Sequence, residues 1–531
     1  MSPGAFRLDH LLAGVPGAEI RGGAASATVG EVRDDSRAVL PGDLFVAVPG
    51  AAADGRTFVA DAAARGAAAV LADAWVDFPG LVIKVPSVRQ ALGIIAAHRY
   101  DAVREMDLVA ITGTNGKTTT SYLVESILAA ARHDSGRVGV VGTISYRFAG
   151  RQQPAPLTTP GALALHALFA QMRGAGVTDV VLEASSHALD QGRLEGCRFR
   201  VAALTNVTQD HLDYHGTMAR YFDAKAILFE RLLRPTDGVA VFLTDRDDGR
   251  RMRDRVKAAL PAGARCLGVA TRPGPGQGGD ADADADVAVR RFDMKADGLR
   301  ADFATPAGPL EVTSRLVGDY NLANVALAVG IAIAHGIGPD AIARGVAALP
   351  GVPGRLERVP SARDVLCVVD YAHTPDALER AMAALRPLCA GRLIVVFGCG
   401  GDRDRSKRPL MGRSVARDAD IAIVTSDNPR TEPPASIVDM IVEGVRNESI
   451  PELALQDLAS AARGYHVAVD RRTALRRAAA AAKEGDVLLI AGKGHEDYQI
   501  IGTTKTHFDD REEATAALRE GQHHREDRGR R

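Results

Sequence analysis

The stretch that most constrains the fold of this chain is Ala110–Thr120, which reads AITGTNGKTTT. An apolar run ends in this glycine-rich segment, and apolar residues recur at helical spacing after it. A strand, a glycine loop and a helix in this order are typical of a phosphate-binding loop, where backbone N–H groups and the helix N-terminus face an anion. The loop is a shorter variant of G-x-x-x-x-G-K-[ST], because Ile111 stands where that pattern has glycine. The alternative is a strand-to-helix turn with a surface lysine.

Length and composition limit the remaining possibilities. A chain of 531 residues is too long for one hydrophobic core, and about three domains are expected. A charged fraction of 25% with a formal net charge of −1 argues against a nucleic-acid or membrane-surface binder. The five cysteines lack C-x-x-C spacing, which is typical of free thiols in a reducing cytoplasm. No export signal and no apolar run near the ~20 residues of a membrane span are visible, so a cytoplasmic protein without membrane insertion is predicted.

The order of predicted strands and helices indicates an α/β protein of three domains. Residues 1–105 are predicted to form a small N-terminal α/β domain, and residues 106–350 a central phosphate-loop domain with a mainly parallel sheet. Residues 351–531 are predicted to form a doubly wound, Rossmann-like domain. The low-complexity segment 272–287 is expected to be a mobile surface excursion followed by antiparallel strands, and the charged tail 522–531 is expected to be disordered.

Two residues of the central domain carry metal chemistry in this interpretation. Glu183 ends an apolar strand, where a carboxylate can hold Mg²⁺, although a solvated strand-end carboxylate is the alternative. Lys225 lies on the apolar stripe of the predicted helix 218–233. From helical position alone, a lysine that snorkels to solvent is the first interpretation. The alternative is a lysine that meets anions, or one that CO₂ converts to a carbamate and thereby to a Mg²⁺ ligand.

Several loops after predicted strands add polar groups. Asp210, His211, Asp213 and His215 follow one strand, and either a solvated loop or a metal site fits this pattern. In the third domain, residues 398–403, 427–430 and 492–496 follow three strands, and Arg430 offers a planar fork for a carboxylate. Because the ends of parallel strands share one edge of a sheet, these three loops are predicted to form one site.

Together these segments resemble the Mur ligases of peptidoglycan synthesis. The motifs that carry the resemblance are GTNGKTTT, TN-x-x-x-DHLDYHG, DYAHTPDALE, FGCGGDRD, DNPRTE and AGKGHEDYQ. The resemblance covers essentially the whole chain except segment 272–287 and the tail, and GTNGKTTT is shared with folylpolyglutamate synthase. It implies that the three domains bind a UDP-sugar peptide, ATP and an incoming amino acid, in that order.

The resemblance also implies a set of site residues. For the UDP substrate these are Ser36, at the uridine, and Thr158, Thr159, Ser185, Gln191 and Arg193, at the muramoyl dipeptide. For ATP they are Gly113, Thr114, Asn115, Gly116, Lys117, Thr118 and Thr119 at the phosphates, with further contacts from Asn321, Arg355, Asp370 and His373. For the amino acid they are Arg403, Asp427, Asn428, Pro429, Arg430, Gly492 and Glu496.

Catalysis is assigned by the same resemblance to Lys117, Lys225 and His211. Thr118 and Glu183 correspond to one Mg²⁺ site, and His211 with a carbamate on Lys225 corresponds to the second. This places the carbamate interpretation of Lys225 above the snorkelling one.

The implied activity is ATP-dependent amide formation. The side-chain carboxylate of D-glutamate in UDP-MurNAc-L-Ala-D-Glu becomes an acyl phosphate, which the amine of meso-diaminopimelate then attacks, and a monomer is expected. Because water would hydrolyse the intermediate, closure of the third domain is expected. The alternatives are an L-lysine-adding ligase, a folylpolyglutamate synthase, or a nucleotide-dependent switch protein without bond formation.

Overall fold

The computed structural model describes residues 5–50, 54–271, 285–295, 298–361 and 365–529, without the side chains of residues 319 and 521–529. The chain divides into two compact units. The first comprises Met1–Arg291, Asp302–Val312 and Ala323–Ala348, and the second comprises Phe292–Ala301, Thr313–Leu322 and Leu349–Arg531. Within the described ranges, every helix is too short or too polar to cross a membrane.

The first unit begins with a small mixed sheet. Its elements are β1 (Phe6–Arg7), α1 (Leu8–Leu11), β2 (Glu19–Arg21), β3 (Thr28–Val29), β4 (Val32–Arg33), β5 (Leu44–Val46), α2 (Val59–Ala64), β6 (Ala69–Ala72), β7 (Leu81–Lys84) and α3 (Val88–Tyr100). The strand order is β2-β7-β6-β5-β4, with β4 to β7 parallel and β2 antiparallel to β7. The Ser87 hydroxyl accepts a hydrogen bond from Gln90 N and begins α3, as an N-cap residue does. The small N-terminal α/β fold is confirmed.

A large sheet follows in the central part of the chain. Its strands are β8 (Asp107–Thr112), β9 (Val138–Val141), β10 (Ser145–Phe148), β11 (Arg151–Pro154), β12 (Asp179–Glu183), β13 (Val201–Leu204), β14 (Val239–Leu243), β15 (Arg265–Ala270), β16 (Val287–Lys295), β17 (Gly298–Thr305) and β18 (Gly308–Ser314). The helices are α4 (Lys117–Arg132), α5 (Ala162–Gly174), α6 (Ser186–Asp190), α7 (Leu212–His215), α8 (Met218–Arg231), α9 (Asp247–Ala259), α10 (Asp319–His335) and α11 (Pro339–Ala348).

The order of this 11-stranded sheet places the site residues. It runs β11-β10-β9-β12-β8-β13-β14-β15-β16-β17-β18, and the pairs from β9 to β16 are parallel. The mainly parallel sheet predicted for this region is therefore confirmed. Because β12, β8 and β13 are neighbours, the residues that follow them lie side by side at one edge of the sheet.

The second unit contains a six-stranded, mostly parallel sheet in the order β19-β20-β24-β21-β22-β23. Its elements are β19 (Glu357–Val359), β20 (Leu366–Asp370), α12 (Pro375–Leu385), β21 (Leu393–Phe397), α13 (Lys407–Asp418), β22 (Ile421–Val424), α14 (Pro434–Arg446), β23 (Gly464–Val467), α15 (Arg471–Ala481), β24 (Val487–Ala491), β25 (Tyr498–Ile501), β26 (Thr504–His507) and α16 (Asp510–Gly529). One apolar cluster contains residues of α12, α13 and α14, and another contains residues of α15 and α16. Helices thus cover both faces of the sheet, and the doubly wound fold is confirmed.

Two predictions concerned irregular segments, namely the low-complexity segment 272–287 and the tail 522–531. Most of the low-complexity segment, at residues 272–284, lies outside the described residues. The tail was expected to be disordered. α16 is drawn as a helix to Gly529, and the disorder of the tail stays a prediction. Ala514, Ala517 and Leu518 pack into the core and fix the first part of this helix. The predicted domain borders at 105/106 and 350/351 stay predictions.

Candidate active site

The loop between β8 and α4 has the backbone geometry of a phosphate loop. Gly113 and Gly116 adopt φ angles of +143° and +87°, which favour glycine. A Cβ atom at Gly113 would collide with the Thr205 hydroxyl, and one at Gly116 would collide with the Asn324 amide. Ile111, which departs from the usual pattern, is buried inside β8 opposite Glu183, so the loop starts only after the strand.

The segment after β13 holds this loop in place. Asn206 accepts hydrogen bonds from Thr114 N at its backbone oxygen and from Asn115 N at its side-chain oxygen, both at 2.9 Å. Asn206 Nδ2 and the Thr205 hydroxyl both donate to Asn115 O, at 2.9 and 2.6 Å. Sequence reasoning did not assign Thr205 and Asn206 to the site. The signal that could have found them is a polar Thr-Asn pair directly after a buried strand.

Lys117 is the first residue of α4 and supplies the positive charge of the loop. Its Nζ donates to Gly113 O at 2.8 Å and to Thr114 O at 2.9 Å. The half-buried ammonium group therefore lies directly beside the loop's backbone, where a terminal phosphate would need a counter-charge.

Glu183 is buried at the end of β12 and faces the start of α4. Its carboxylate accepts hydrogen bonds from the Thr118 hydroxyl at 3.0 Å and from the Thr143 hydroxyl at 2.8 Å. Thr143 N adds a third bond at 3.2 Å. A buried carboxylate beside a threonine hydroxyl is an oxygen donor set that suits Mg²⁺. Thr143 was missed from the sequence, because it follows the short strand β9, which the sequence analysis had not predicted.

Lys225 lies on α8 and is only 1% exposed, so its side chain does not reach solvent as the snorkelling alternative requires. Its Nζ lies 4.2 Å from the centre of the Tyr221 ring, and no carboxylate of the described residues is within ion-pair distance. Burial, and secondarily the charge of Lys117, lower the pKa of Lys225 well below its ordinary value, against a smaller opposing effect of Asp210. The site therefore favours a neutral amine.

Three histidines lie beside this lysine helix. The ring of His187 is 4.8 Å from that of His211 and 5.5 Å from that of His215, measured between centroids. His211 has a left-handed backbone with φ of +52° at the start of α7. Burial is the main cause of the lowered pKa of each of these imidazoles, which keeps them neutral and able to bind a metal ion.

The residues predicted to hold the muramoyl dipeptide form one hydrogen-bonded cluster next to Glu183. The contacts are Thr158 Oγ1 to Thr143 Oγ1 at 3.2 Å, Thr159 Oγ1 to Glu183 O at 2.7 Å, Thr159 Oγ1 to Ser185 Oγ at 3.3 Å, Arg193 Nη1 to Thr159 O at 2.9 Å and Arg193 Nη2 to Gln191 Oε1 at 2.6 Å. Ser36 is not part of this cluster. It lies in a short helical turn after β4, beside Asp61.

In the second unit, the structure brings together the three loops that follow β21, β22 and β24. Gly401 N donates to Asn428 O at 2.9 Å, and Asn428 Nδ2 donates to Glu496 Oε2 at 2.8 Å. Arg430 has a left-handed backbone with φ of +49°, and its Nη1 donates to Gly401 O at 2.9 Å. A Cβ atom at Gly401 would collide with Pro429 O, which explains the glycine.

This pocket carries charges of both signs. Asp427 and Glu496 form an acidic pair, and burial followed by the charge of Asp427 raises the pKa of Glu496, while Lys493 opposes that change. A Cβ atom at Gly492 would lie 2.5 Å from Asp427 Oδ2, so this glycine is needed for the close approach of the two loops. Arg430 is half-buried at the same place, and Arg403 is exposed near it.

Four predicted nucleotide contacts also belong to the second unit. The Arg355 guanidinium lies 5.0 Å from the centre of the Tyr371 ring, and Asp370 accepts hydrogen bonds from Leu356 N and Ala372 N at 2.7 and 2.8 Å. His373 Nδ1 faces Tyr371 O at 2.8 Å, and Asn321 Nδ2 donates to Val317 O at 2.7 Å. Their participation in one nucleotide site with the loop of the first unit stays a prediction.

A phosphate loop on a mainly parallel sheet, followed by a doubly wound unit with charged loops at its strand ends, is the arrangement of a phosphate-loop enzyme. The chain matches the Mur ligase family catalytic domain at residues 28–100, the Mur ligase middle domain at residues 111–332 and the Mur ligase glutamate ligase domain at residues 354–494. The chain belongs to the Mur ligase family and is a ligase.

Similar proteins share almost the whole length of the chain. UDP-N-acetylmuramoyl-L-alanyl-D-glutamate--2,6-diaminopimelate ligase of Geobacter metallireducens is 44% identical over 97% of this chain and 99% of its own. The enzyme of the same name from Gloeobacter violaceus is 45% identical, over 91% of this chain and 92% of its own. A solved structure of an enzyme with this name is 33% identical, covers 98% of this chain and 100% of its own, and has a TM-score of 0.71.

Proposed function

We propose that this chain adds meso-2,6-diaminopimelate to the side-chain carboxylate of D-glutamate in UDP-MurNAc-L-Ala-D-Glu, in peptidoglycan precursor synthesis, at the expense of ATP. The observation that carries the choice of amino acid is the group of loops in the second unit, where the Arg430 guanidinium binds Gly401 O and Asn428 binds Glu496 of the acidic pair Asp427 and Glu496. Such a pocket pairs both the ammonium and the carboxylate of an amino-acid head group. The names of the similar full-length enzymes support the same choice.

The phosphate loop supports ATP as the co-substrate. Backbone N–H groups of the loop other than those of Thr114 and Asn115, which bind Asn206, would hold the phosphates. Lys117 would leave the carbonyls of its own loop to neutralise the transferred phosphoryl group. Thr118 and Glu183 would hold Mg²⁺, which supplies charge neutralisation to the phosphates when it is bound.

The neutral, buried amine of Lys225 supports a carbamate at this position. A neutral amine attacks CO₂, forms an N–C bond and releases a proton, and the side chain changes from a neutral to an anionic group. The product offers two oxygen ligands, and His211 with its neutral imidazole would complete a second Mg²⁺ site.

Amide formation then follows from the positions of the chain's own groups. The cluster of Thr159, Ser185 and Arg193 next to Glu183 would orient the glutamyl carboxylate for phosphorylation. The acidic pair of the second unit would hold the distal ammonium of the diamino acid and leave its other amine to attack the acyl phosphate. The new C–N bond replaces the C–O bond to phosphate, and phosphate departs.

Arg430 is the residue that separates diaminopimelate from L-lysine in this proposal. The two substrates differ by one carboxylate, so lysine would leave the guanidinium without a substrate partner in a half-buried pocket. Discrimination by several powers of ten is of the size seen where a site is built around a polar partner.

The test is ADP release by the full chain with UDP-MurNAc-L-Ala-D-Glu, ATP and a panel of amino acids. We expect release to depend on meso-diaminopimelate, with L-lysine at least about a thousandfold poorer in kcat/KM. Comparable use of lysine would assign the lysine-adding activity instead. ADP release that ignores every amino acid would indicate a nucleotide-dependent switch and would contradict a ligase role for this pocket.

A further inference from the structure

We infer that Lys493 is the positioning residue of the amino-acid pocket: its buried ammonium group holds Asn428 and Glu496 in the geometry that binds the incoming diamino acid. The inference rests on the proposed function for the identity of that substrate. It adds a role for a residue that the sequence analysis included in the loop 492–496 but did not single out.

The contacts of Lys493 place it behind the pocket. The side chain is 0% exposed, so a ligand in the pocket does not meet it directly. Its Nζ lies 3.4 Å from both Asn428 Oδ1 and Glu496 Oε2, and it also donates to Tyr498 O. Asp427 Oδ1 is 3.9 Å away. One cation therefore joins the loop after β22, the loop after β24 and strand β25.

The charge of Lys493 has a direct effect on the pocket. A buried ammonium group is costly unless anions surround it, and here Asp427 and Glu496 provide them. Without the cation, two carboxylates would face each other in a buried site, and one of them would take up a proton. Protonation of Glu496 would remove one of the two carboxylates that can pair with a substrate ammonium group.

The other groups around Glu496 do not replace this cation. The charge of Asp427 raises the pKa of Glu496. Burial, and after it the charge of Glu496, raises the pKa values of the Tyr371 and Tyr498 hydroxyls. Asn428 donates only a neutral hydrogen bond to Glu496. The Arg471 guanidinium does not pair with Glu496 either, because it forms a buried ion pair with Asp510.

The backbone around the pocket depends on contacts that Lys493 and Asn428 make with strand β25. Ile500 N donates to Asn428 Oδ1 at 2.9 Å, and the strand that carries Ile500 begins at Tyr498, whose carbonyl Lys493 binds. Arg430 N donates to Ile500 O at 3.1 Å, and Gly502 N donates to Arg430 O at 2.7 Å. The hairpin β25–β26 therefore fixes the left-handed Arg430, and Lys493 ties this hairpin to the loops.

The test compares the full-length wild type with Lys493→Met, which keeps the length of the side chain and removes its charge, and with Lys483→Met at an exposed lysine of the same unit. For Lys493→Met we expect the KM for diaminopimelate to rise at least about tenfold, because buried charged partners lose their hydrogen-bond donor. The KM values for ATP and UDP-MurNAc-L-Ala-D-Glu should stay within about twofold of the wild type.

A pH series separates positioning from a general loss of structure. In Lys493→Met the KM for diaminopimelate should fall as pH rises from 6 to 9, since Glu496 must lose its proton to bind the ammonium group, whereas the wild type and Lys483→Met should vary much less. Lys493→Arg keeps the charge, so its KM for diaminopimelate should vary less with pH than that of Lys493→Met. An unchanged KM for diaminopimelate, an equal rise in all three KM values, or a profile parallel to the wild type would overturn the inference.

The wild-type control separates the two proposals. If the wild type prefers another amino acid, the proposed substrate is wrong, and the effect of Lys493→Met is judged on the KM for the preferred amino acid. If the wild type shows turnover that no amino acid affects, both proposals fail. If it prefers diaminopimelate and Lys493→Met behaves as the wild type, only the role of Lys493 fails.

Discussion

At the scale of single residues, one substitution tests the proposed role of Lys117 as the cation that neutralises the transferred phosphoryl group. Lys117→Ala removes the cation beside the loop but leaves the glycines and the Asn206 contacts unchanged. We expect kcat/KM to fall by at least about a thousandfold, as for other groups that stabilise transferred charge, with a melting temperature close to the wild type. ADP-release kinetics and thermal melts measure both, with Lys257→Ala, at an exposed lysine of α9, as the control. Near-normal turnover would show that the loop has been misinterpreted.

Lys225 allows a chemical test of its modification. With ¹³C-bicarbonate, the wild type should give a carbamate carbon signal in NMR that is absent from Lys225→Ala. The variant should be nearly inactive, and a small carboxylate such as formate should restore part of the activity by supplying the missing oxygen ligands. Lys257→Ala should keep both the signal and the activity. An active enzyme that gives no carbamate signal would exclude the modification.

His166 makes stability depend on pH. It is fully buried on α5, faces Glu195 O at 3.4 Å, and burial lowers its pKa to about 4. The unfolded chain has a histidine pKa near ~6.5 and binds the proton first, so stability is lost as pH falls from about 6.5 to about 4. The loss at pH 5 relative to pH 7.5 is roughly 2 kcal/mol.

His166→Asn should remove this part of the acid sensitivity. The measurement is the change in melting temperature between pH 7.5 and pH 5, which should be smaller in the variant than in the wild type. His133→Asn is the matched control, because His133 is exposed and its left-handed backbone tolerates asparagine. Equal acid sensitivity in wild type and His166→Asn would place the titrating groups elsewhere.

The sequence predicted those candidate-site residues whose chemistry is visible in a motif. Lys117, Thr118 and Glu183 follow from a glycine loop and a strand end, and Thr118 and Glu183 are hydrogen-bonded in the structure. Thr143 and Lys493 were not predicted, because their roles come from contacts with residues distant in sequence. The burial of Lys225 was also open, since a helical stripe does not show whether its edge faces solvent or another element.

At the scale of elements, the proposed function makes the loop after β22 the specificity element. Hydrogen bonds from the hairpin β25–β26 hold its backbone, and Arg430 projects a guanidinium that a lysine cannot imitate. Arg430→Lys should therefore raise the KM for diaminopimelate by roughly tenfold or more, while the KM for ATP stays near the wild-type value. Initial-rate measurements with each substrate varied in turn give these constants.

A control for this substitution is available in the same unit. Arg358 lies exposed on β19, and Arg358→Lys should leave all constants unchanged. If Arg430→Lys also leaves them unchanged, then the carboxylate of diaminopimelate is recognised by another residue.

Strands of uninterrupted apolar residues were predictable, whereas strands that contain polar residues were not. β13, β14 and β21 have the bounds that their uninterrupted apolar residues indicate. β23 and the hairpin β10–β11 were missed, because polar residues or glycine interrupt their four-residue sequences. Parallel pairing followed from the alternation of strands and helices, but the strand order depends on contacts between distant segments.

At the scale of the whole molecule, the balance of charge governs solubility. The formal net charge is −1 when the 14 histidines are neutral, so protonation of a few of them cancels it just below neutral pH. Proteins with a net charge near zero associate most readily. The solubility of the purified protein, measured by precipitation with polyethylene glycol, should be lowest near pH 7 and higher at about pH 5.5, where protonated histidines make the net charge positive. A flat profile would show that local patches dominate self-association.

The position of β24 in the sheet affects how the second unit folds during synthesis. This strand is the last of its sheet in sequence, yet it lies between β20 and β21 and pairs with both. On the ribosome, β20 and β21 therefore emerge more than 80 residues before the strand that joins them, and each waits with an open apolar edge. A message cut short before codon 487 would release a chain with two such edges, which is a substrate for chaperones and proteases rather than a smaller working enzyme.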